Sequence, residues 1–198
     1  ALALVSLEAD GDRDFLFYGD APAHLGFRLT RRMRALIRRA RVLHYGSISL
    51  IADPARESTL TATEEARRAG ALCSYDPNLR LALWPERRSA RRWMWEGVTR
   101  ADCIKVNEDE MAFLTGTNSV ACGLRILVEA GPRLAVVTLG REGCAYYGAS
   151  GEGKVPGFAA RAVDTTGAGD AFVAGMLVSL LEASPNLAVA LPDGPVLE

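Results

Sequence analysis

The sequence predicts an α/β protein with a mostly parallel central sheet and helices on both faces, and three observations predict it. From about residue 30, short apolar runs of strand length alternate with longer stretches of helical apolar spacing. Helix-start chemistry falls between them, at Thr30, at Asp53-Pro54 and at Pro85. Three polar turns, beginning at Asp76, Asn107 and Gly140, directly follow apolar runs, where ligand loops of a parallel sheet belong.

The elements follow in order. Residues 1–18 read as a hairpin, because two alternating apolar runs flank the turn signal Glu8-Ala9-Asp10-Gly11-Asp12. Thr30 caps a helix to about Arg41, and Val42–Tyr45 is a strand. Asp53-Pro54 opens a helix to about Ala69, followed by a strand over Ala71–Tyr75. Pro85 opens a helix to about Thr99, and Cys103–Val106 is a strand. Short helices cover 107–115 and 118–130, and Leu134–Leu139 is a strand. A second hairpin covers about 143–156, and an apolar helix runs from Ala168 to about residue 182. The six arginines between Arg31 and Arg41 alternate with Met33, Leu36, Ile37 and Ala40, which reads as the solvated side of an amphipathic helix.

A chain of 198 residues, 49% hydrophobic, suffices for one core. Its net charge of −1 gives no support to nucleic-acid binding, and no apolar run reaches membrane-spanning length. Cys73, Cys103, Cys122 and Cys144 are scattered without a CxxC pair, so buried thiols in a reducing, cytoplasmic setting are expected. His24 and His44 lack metal-ligand spacing, which argues against zinc.

The most specific segment is Asp164-Thr165-Thr166-Gly167-Ala168-Gly169-Asp170, which opens into the apolar run Ala171–Leu181. A helix start leaves backbone N–H groups unpaired and carries partial positive charge. The small residues Gly167, Ala168 and Gly169 let an anion approach those groups, and phosphate is the obvious guest. A carboxylate beside phosphate makes sense if Asp170 takes the proton of an attacking hydroxyl, which suggests phosphoryl transfer from a nucleotide to an alcohol. A first-turn acid that only complements the helix dipole is the competing reading. A dinucleotide fingerprint fails at Phe172, and the chain has no Gly-Lys-Ser/Thr triplet.

The stretch Asp164–Leu177 resembles the C-terminal signature of the ribokinase-like (PfkB) carbohydrate kinases. Further segments fall in that family's order: Asp76-Pro77-Asn78-Leu79-Arg80 with Leu83-Trp84-Pro85, then Asn107-Glu108-Asp109-Glu110, then Thr138-Leu139-Gly140-Arg141-Glu142-Gly143. Fructokinases are the most similar subfamily. The resemblance implies a three-layer α/β/α fold with a small β lid, residues 1–20 being lid strands and 21–198 an incomplete kinase domain. Relatives are longer at both ends, so a truncated chain is expected.

Function and site residues are implied in the same way. The resemblance implies ATP-dependent transfer of the γ-phosphoryl group to a sugar hydroxyl, most closely that of fructose. 2-Keto-3-deoxygluconate, ribose or nucleoside kinases, or a non-catalytic nucleotide-binding relative, are the alternatives. Asp170 would be the catalytic base, with Gly167, Ala168 and Gly169 as backbone donors. Asn78, Asn107, Thr138, Gly140, Arg141 and Gly143 would contact nucleotide, against turn or helix-cap roles for the same residues. Phe17, Tyr18 and Arg80 would contact the sugar, although Gly19 stands where fructokinases commonly carry Arg. Glu110 would reach Mg²⁺ through water, or serve as a first-turn acid. Asp164 and the Thr166 carbonyl would hold a monovalent cation such as K⁺, or Asp164 would close an Asx turn. Sugar and ATP are the implied partners, without nucleic acid or membrane, and a homodimer through the lid strands is open by analogy.

Overall fold

A computed structural model describes residues 2–7, 13–18, 22–149, 151–160 and 164–183. The N-terminal hairpin forms as expected: β1 (Leu2–Leu7) pairs antiparallel with β2 (Arg13–Tyr18), in register Leu2 to Tyr18. The expected Glu8–Asp12 turn lies outside the described residues, as do the side chains of Phe17 and Tyr18.

A six-stranded sheet forms the body, in the order β3 (Val42–Tyr45), β4 (Leu72–Tyr75), β5 (Cys103–Asn107), β6 (Leu134–Thr138), β7 (Cys144–Gly148), β8 (Gly151–Val155). The first four strands are parallel, and β7 and β8 continue antiparallel. The mixed edge arises because a tight turn at Gly140–Glu142 follows β6, and a tight turn can only reverse the chain.

Strands that add sequentially through right-handed crossovers place their connecting helices on one face. Those helices are α2 (Ala55–Arg68), α3 (Arg87–Val98), α4 (Glu108–Thr115) and α5 (Val120–Glu129). They enclose the main core with Tyr75, Ile104, Val106, Ala135 and Val137 from the strands. Met94, Leu114 and Leu127 are fully buried there, each contributing roughly 1.5–3 kcal/mol of transfer free energy. Tyr45 and Tyr75 stack at 4.8 Å, and the Tyr75 ring occupies the space that a Cβ on Gly97 would need.

The opposite face carries α6 (Ala168–Ala183). Its Met176, Leu177, Leu180 and Leu181 pack on Val42, Leu72, Cys103 and Leu134, which all lie at the starts of their strands. The helix therefore runs against the parallel strands, and its N-terminus arrives over their carboxyl ends.

Helix α1 (Arg31–Ile37) departs from expectation by ending at Ile37 instead of near Arg41. Thr30 caps it as expected, accepting from Met33 N at 3.3 Å. The bonds Arg39 N to Leu36 O and Ala40 N to Ile37 O then tighten the chain out of the α-helix, so that it can enter β3 at Val42. Met33, Leu36 and Ile37 line an apolar cleft of about 570 Å³ with Phe27, Leu29 and Leu43. All four cysteines are free thiols; Cys73, Cys103 and Cys144 are buried as expected, whereas Cys122 is exposed on α5. No single described helix is long and apolar enough to cross a membrane.

Candidate active site

Side chains alternate between the two faces of a strand. Val42, Leu72 and Cys103 meet α6, so His44, Ser74 and Lys105, two residues further on, share that face at the carboxyl end. Asp76, just beyond β4, continues the same parity. The contacts agree: His44 Nδ1 lies 3.1 Å from Ser74 Oγ, and Lys105 Nζ lies 3.1 Å from Asp76 Oδ2 in a buried ion pair. A polar row thus sits beneath the start of α6, while the opposite parity stays apolar.

The glycine turn closes over this row. Gly167 takes φ of +78°, a conformation that glycine adopts without the steric cost of a Cβ. Ala168 N donates to Thr165 O at 3.1 Å, and Ala171 N donates to Gly167 O at 2.8 Å, starting the helix. The Ala168 amide is thus engaged within the turn. Asp164 Oδ1 accepts from both Thr166 N (2.8 Å) and Thr166 Oγ1 (2.7 Å), so the Asx-turn reading of Asp164 is realised. Asp170 is exposed in the first turn of α6. It shares a cleft of about 310 Å³ with His24, His44, Asp76, Asn78 and the 46–49 segment.

Asn107 and Glu110 form a reciprocal capping box at the start of α4. Glu110 Oε2 accepts from Asn107 N at 3.0 Å, and Glu110 N donates to Asn107 Oδ1 at 2.8 Å. Glu110 Oε1 also accepts from Leu79 N at 2.7 Å, which ties the Asp76–Arg80 turn to the end of β5. Burial pushes the Glu110 carboxyl up from its ordinary range, while the two backbone N–H groups oppose that shift. Both Glu110 oxygens are thus engaged by backbone N–H groups in a buried side chain, which realises its helix-cap reading.

The remaining expected residues separate into two groups. Asn78 lies in the cleft, at φ of +46°, with its N–H donating to Asp76 Oδ1 at 3.2 Å; asparagine tolerates this left-handed conformation. Half-buried Arg80 follows it, one guanidinium nitrogen donating to Leu79 O at 3.1 Å. Thr138, Gly140, Arg141 and Gly143 lie at the end of β6, on the same sheet edge but outside the cleft. There the chain closes on itself through Leu139 N to Gly143 O at 2.8 Å, which is the turn reading of that segment.

Sequence reasoning passed over His44 and Lys105. The signal was available, since a lysine inside Ile104-Lys105-Val106 and a histidine inside Leu43-His44-Tyr45 share one strand parity. Burial pushes the His44 imidazole below its ordinary value of 6.5; the Asp76 and Asp170 carboxylates pull it up, and Lys105 pushes it further down. Burial also raises the Cys73 and Cys103 thiols, to about 12 and about 11, which leaves neither as a ready thiolate. Among the described residues no cluster of three or more His, Cys, Asp or Glu could hold a metal ion.

The α/β sheet, α6 as the one described helix on its second face, and an acid-bearing glycine turn over the strand ends define a ribokinase-like fold. A maize (Zea mays) fructokinase-1 is 48% identical over 188 residues, 94% of this chain and 58% of that protein. The fructokinase with bound ATP from Xylella fastidiosa superposes with a TM-score of 0.83 at 30% identity, covering 96% of this chain and 59% of that one. A Vibrio cholerae O395 fructokinase bound to fructose, ADP and calcium superposes at 0.72 with 31% identity, covering 96% of this chain and 63% of that one. With residues 1–191 matching the pfkB family carbohydrate kinase profile, the chain belongs to that family. It spans less than two thirds of the length of these relatives.

Proposed function

We propose that this chain carries the phosphoryl-transfer centre of an ATP-dependent sugar kinase whose acceptor is fructose. The observation that supports it most is the placement of Asp170, exposed in the first turn of α6 and lining a polar cleft at the carboxyl edge of the sheet. An acceptor hydroxyl in that cleft gives its proton to the Asp170 carboxylate. Its oxygen forms a bond to the γ-phosphorus, the bond from that phosphorus to the bridging oxygen breaks, and ADP leaves with the electron pair. The glycine turn offers backbone N–H groups and the positive end of α6 to the charge on the transferring group.

Asn78, Asn107 and the segment from Thr138 to Gly143 are read as the nucleotide side of the site, and Arg80, Phe17 and Tyr18 as the sugar side. Mg²⁺, when bound, neutralises the triphosphate, and the water-mediated reach of Glu110 fits an ion carried in by the nucleotide. Asp164 and Thr166 are read as the place of a K⁺-like ion beside the turn. Leu2, Leu4, Val5 and Leu16 are exposed on the hairpin, which supports pairing of lid strands between two copies. Four free thiols fit a cytoplasmic setting.

A coupled assay of the whole reading frame with MgATP and a panel of fructose, 2-keto-3-deoxygluconate, ribose and nucleosides tests this reading. Fructose turnover is expected, and Asp170→Asn should lower kcat by about 10²- to 10⁴-fold while the protein remains folded. Undiminished turnover in that variant would remove Asp170 from the chemistry.

A further inference from the structure

A buried ion pair sits directly beneath the glycine turn. Lys105 and Asp76 are 7% and 4% exposed, and their charged atoms are 3.1 Å apart. A Cβ on Gly169 would lie 3.0 Å from Lys105 Nζ and 3.9 Å from its Cε. With contact that close, a methyl group at position 169 would require the ammonium to give by a few tenths of an ångström. The ammonium is tethered, because Asp76 holds it from the end of β4. Asp76 is itself fixed: its Oδ1 accepts from Asn78 N at 3.2 Å, and its backbone N donates to Tyr45 O at 3.1 Å.

We propose that Lys105, locked on Asp76, is a positioning residue for the 167–170 turn, setting its height above the sheet and placing a cation under the amides that receive an anion. This rests on the kinase reading for the identity of the anion, but its geometry stands without it. A desolvated ion pair is an expensive way to hold two strands together, because apolar residues of similar size do that equally well. An ammonium against the turn does what an apolar side chain cannot: it favours negative charge immediately above it, in surroundings where water screens little. The cation acts most on whichever phosphate reaches the turn. In a nucleoside triphosphate that is the terminal one, which a diphosphate lacks. The same residue therefore separates ATP from ADP. It also links the turn after β4, Asp76–Asn78, to the glycine turn at the start of α6, so that neither moves alone.

The test is calorimetric binding of Mg²⁺ with β,γ-imido-ATP and, separately, with ADP, using the protein in its whole reading frame. Wild-type protein should prefer the imido-ATP. Lys105→Met should lower that affinity about 10-fold while ADP binding changes less than about 2-fold, and kcat should fall about 100-fold with a much smaller change in the KM for fructose. Lys105→Met leaves Asp76 buried and unpaired, so the double variant Asp76→Asn, Lys105→Met removes both charges and separates folding from function. It should be as stable as wild type and keep the loss of imido-ATP preference. Gly169→Ala supplies an independent arm. A helical alanine is favourable to stability, yet its methyl group displaces the ammonium, so binding should weaken while thermal stability holds or rises. Wild-type preference for imido-ATP in the folded double variant, or in Gly169→Ala, overturns the proposal. Because the binding ratio needs no turnover, a wild-type protein that phosphorylates no sugar would sink the kinase reading and leave this result standing.

Discussion

The two faces of the six-stranded sheet are built from the same strands, one residue out of step, and they do different work. On the α2–α5 face, Cys73, Tyr75, Ile104, Val106, Ala135 and Val137 meet helices that bury them completely. On the α6 face, the strand starts are apolar, at Val42, Leu72, Cys103 and Leu134, but the strand ends carry His44, Ser74 and Lys105. One face is a core along its whole length, whereas the other is a core at one end and a polar floor at the other. Apolar packing and polar side chains are thereby separated within single strands.

Truncating a side chain on each face tests this division most forcefully. Leu127→Ala, in the enclosed core, should cost about 2–5 kcal/mol of stability. Leu180→Ala, half-buried on the sheet-facing side of α6, should cost less than half as much, as read from denaturant midpoints. Equal costs would mean that the α6 face is as tightly packed as the other. Glu110→Gln tests the join between the faces at an intermediate scale. Replacing an acceptor oxygen with an amide leaves one buried backbone N–H unmatched, which should cost about 1–3 kcal/mol with no metal present. A Glu110 that served only to reach Mg²⁺ would show no stability loss in metal-free buffer.

The smallest effect concerns pH. Burial holds His44 below its ordinary value of 6.5, so the unfolded chain binds this proton more readily than the folded one. Stability should therefore decline as pH falls below about 6.5 and continue declining until the depressed folded value is reached, a small effect because the solvent-exposed part of the ring screens it. His44→Asn should flatten the Tm profile between about pH 7.5 and 5.5. A profile unchanged by the substitution would place the proton elsewhere.

Much of this was legible in the sequence, for reasons that can be named. The elements were readable because periodicity, Thr30, the Asp53-Pro54 pair and the Asn107–Glu110 box each act within a few residues. The glycine turn was readable because its chemistry is contiguous in the chain. Less visible was the early end of α1, where Leu36 and Ala40 continue the helical spacing but the chain must drop into β3. The Lys105–Asp76 pair spans 29 positions, and its link to Gly169 a further 64 beyond Lys105, so local spacing does not reveal it. Strand parity would have brought His44, Ser74 and Lys105 into one row, had the faces been traced across neighbouring strands.

That parity also limits how the gene can change. Inserting or deleting a single codon inside β5 would turn its side chains over, pressing an ammonium into hydrocarbon and presenting Ile104 or Val106 to the turn. Substitutions and loop-length changes remain available to the lineage, but frame-preserving indels in this strand do not. Among homologous genes, gaps should therefore collect around β5 and leave the strand itself unbroken.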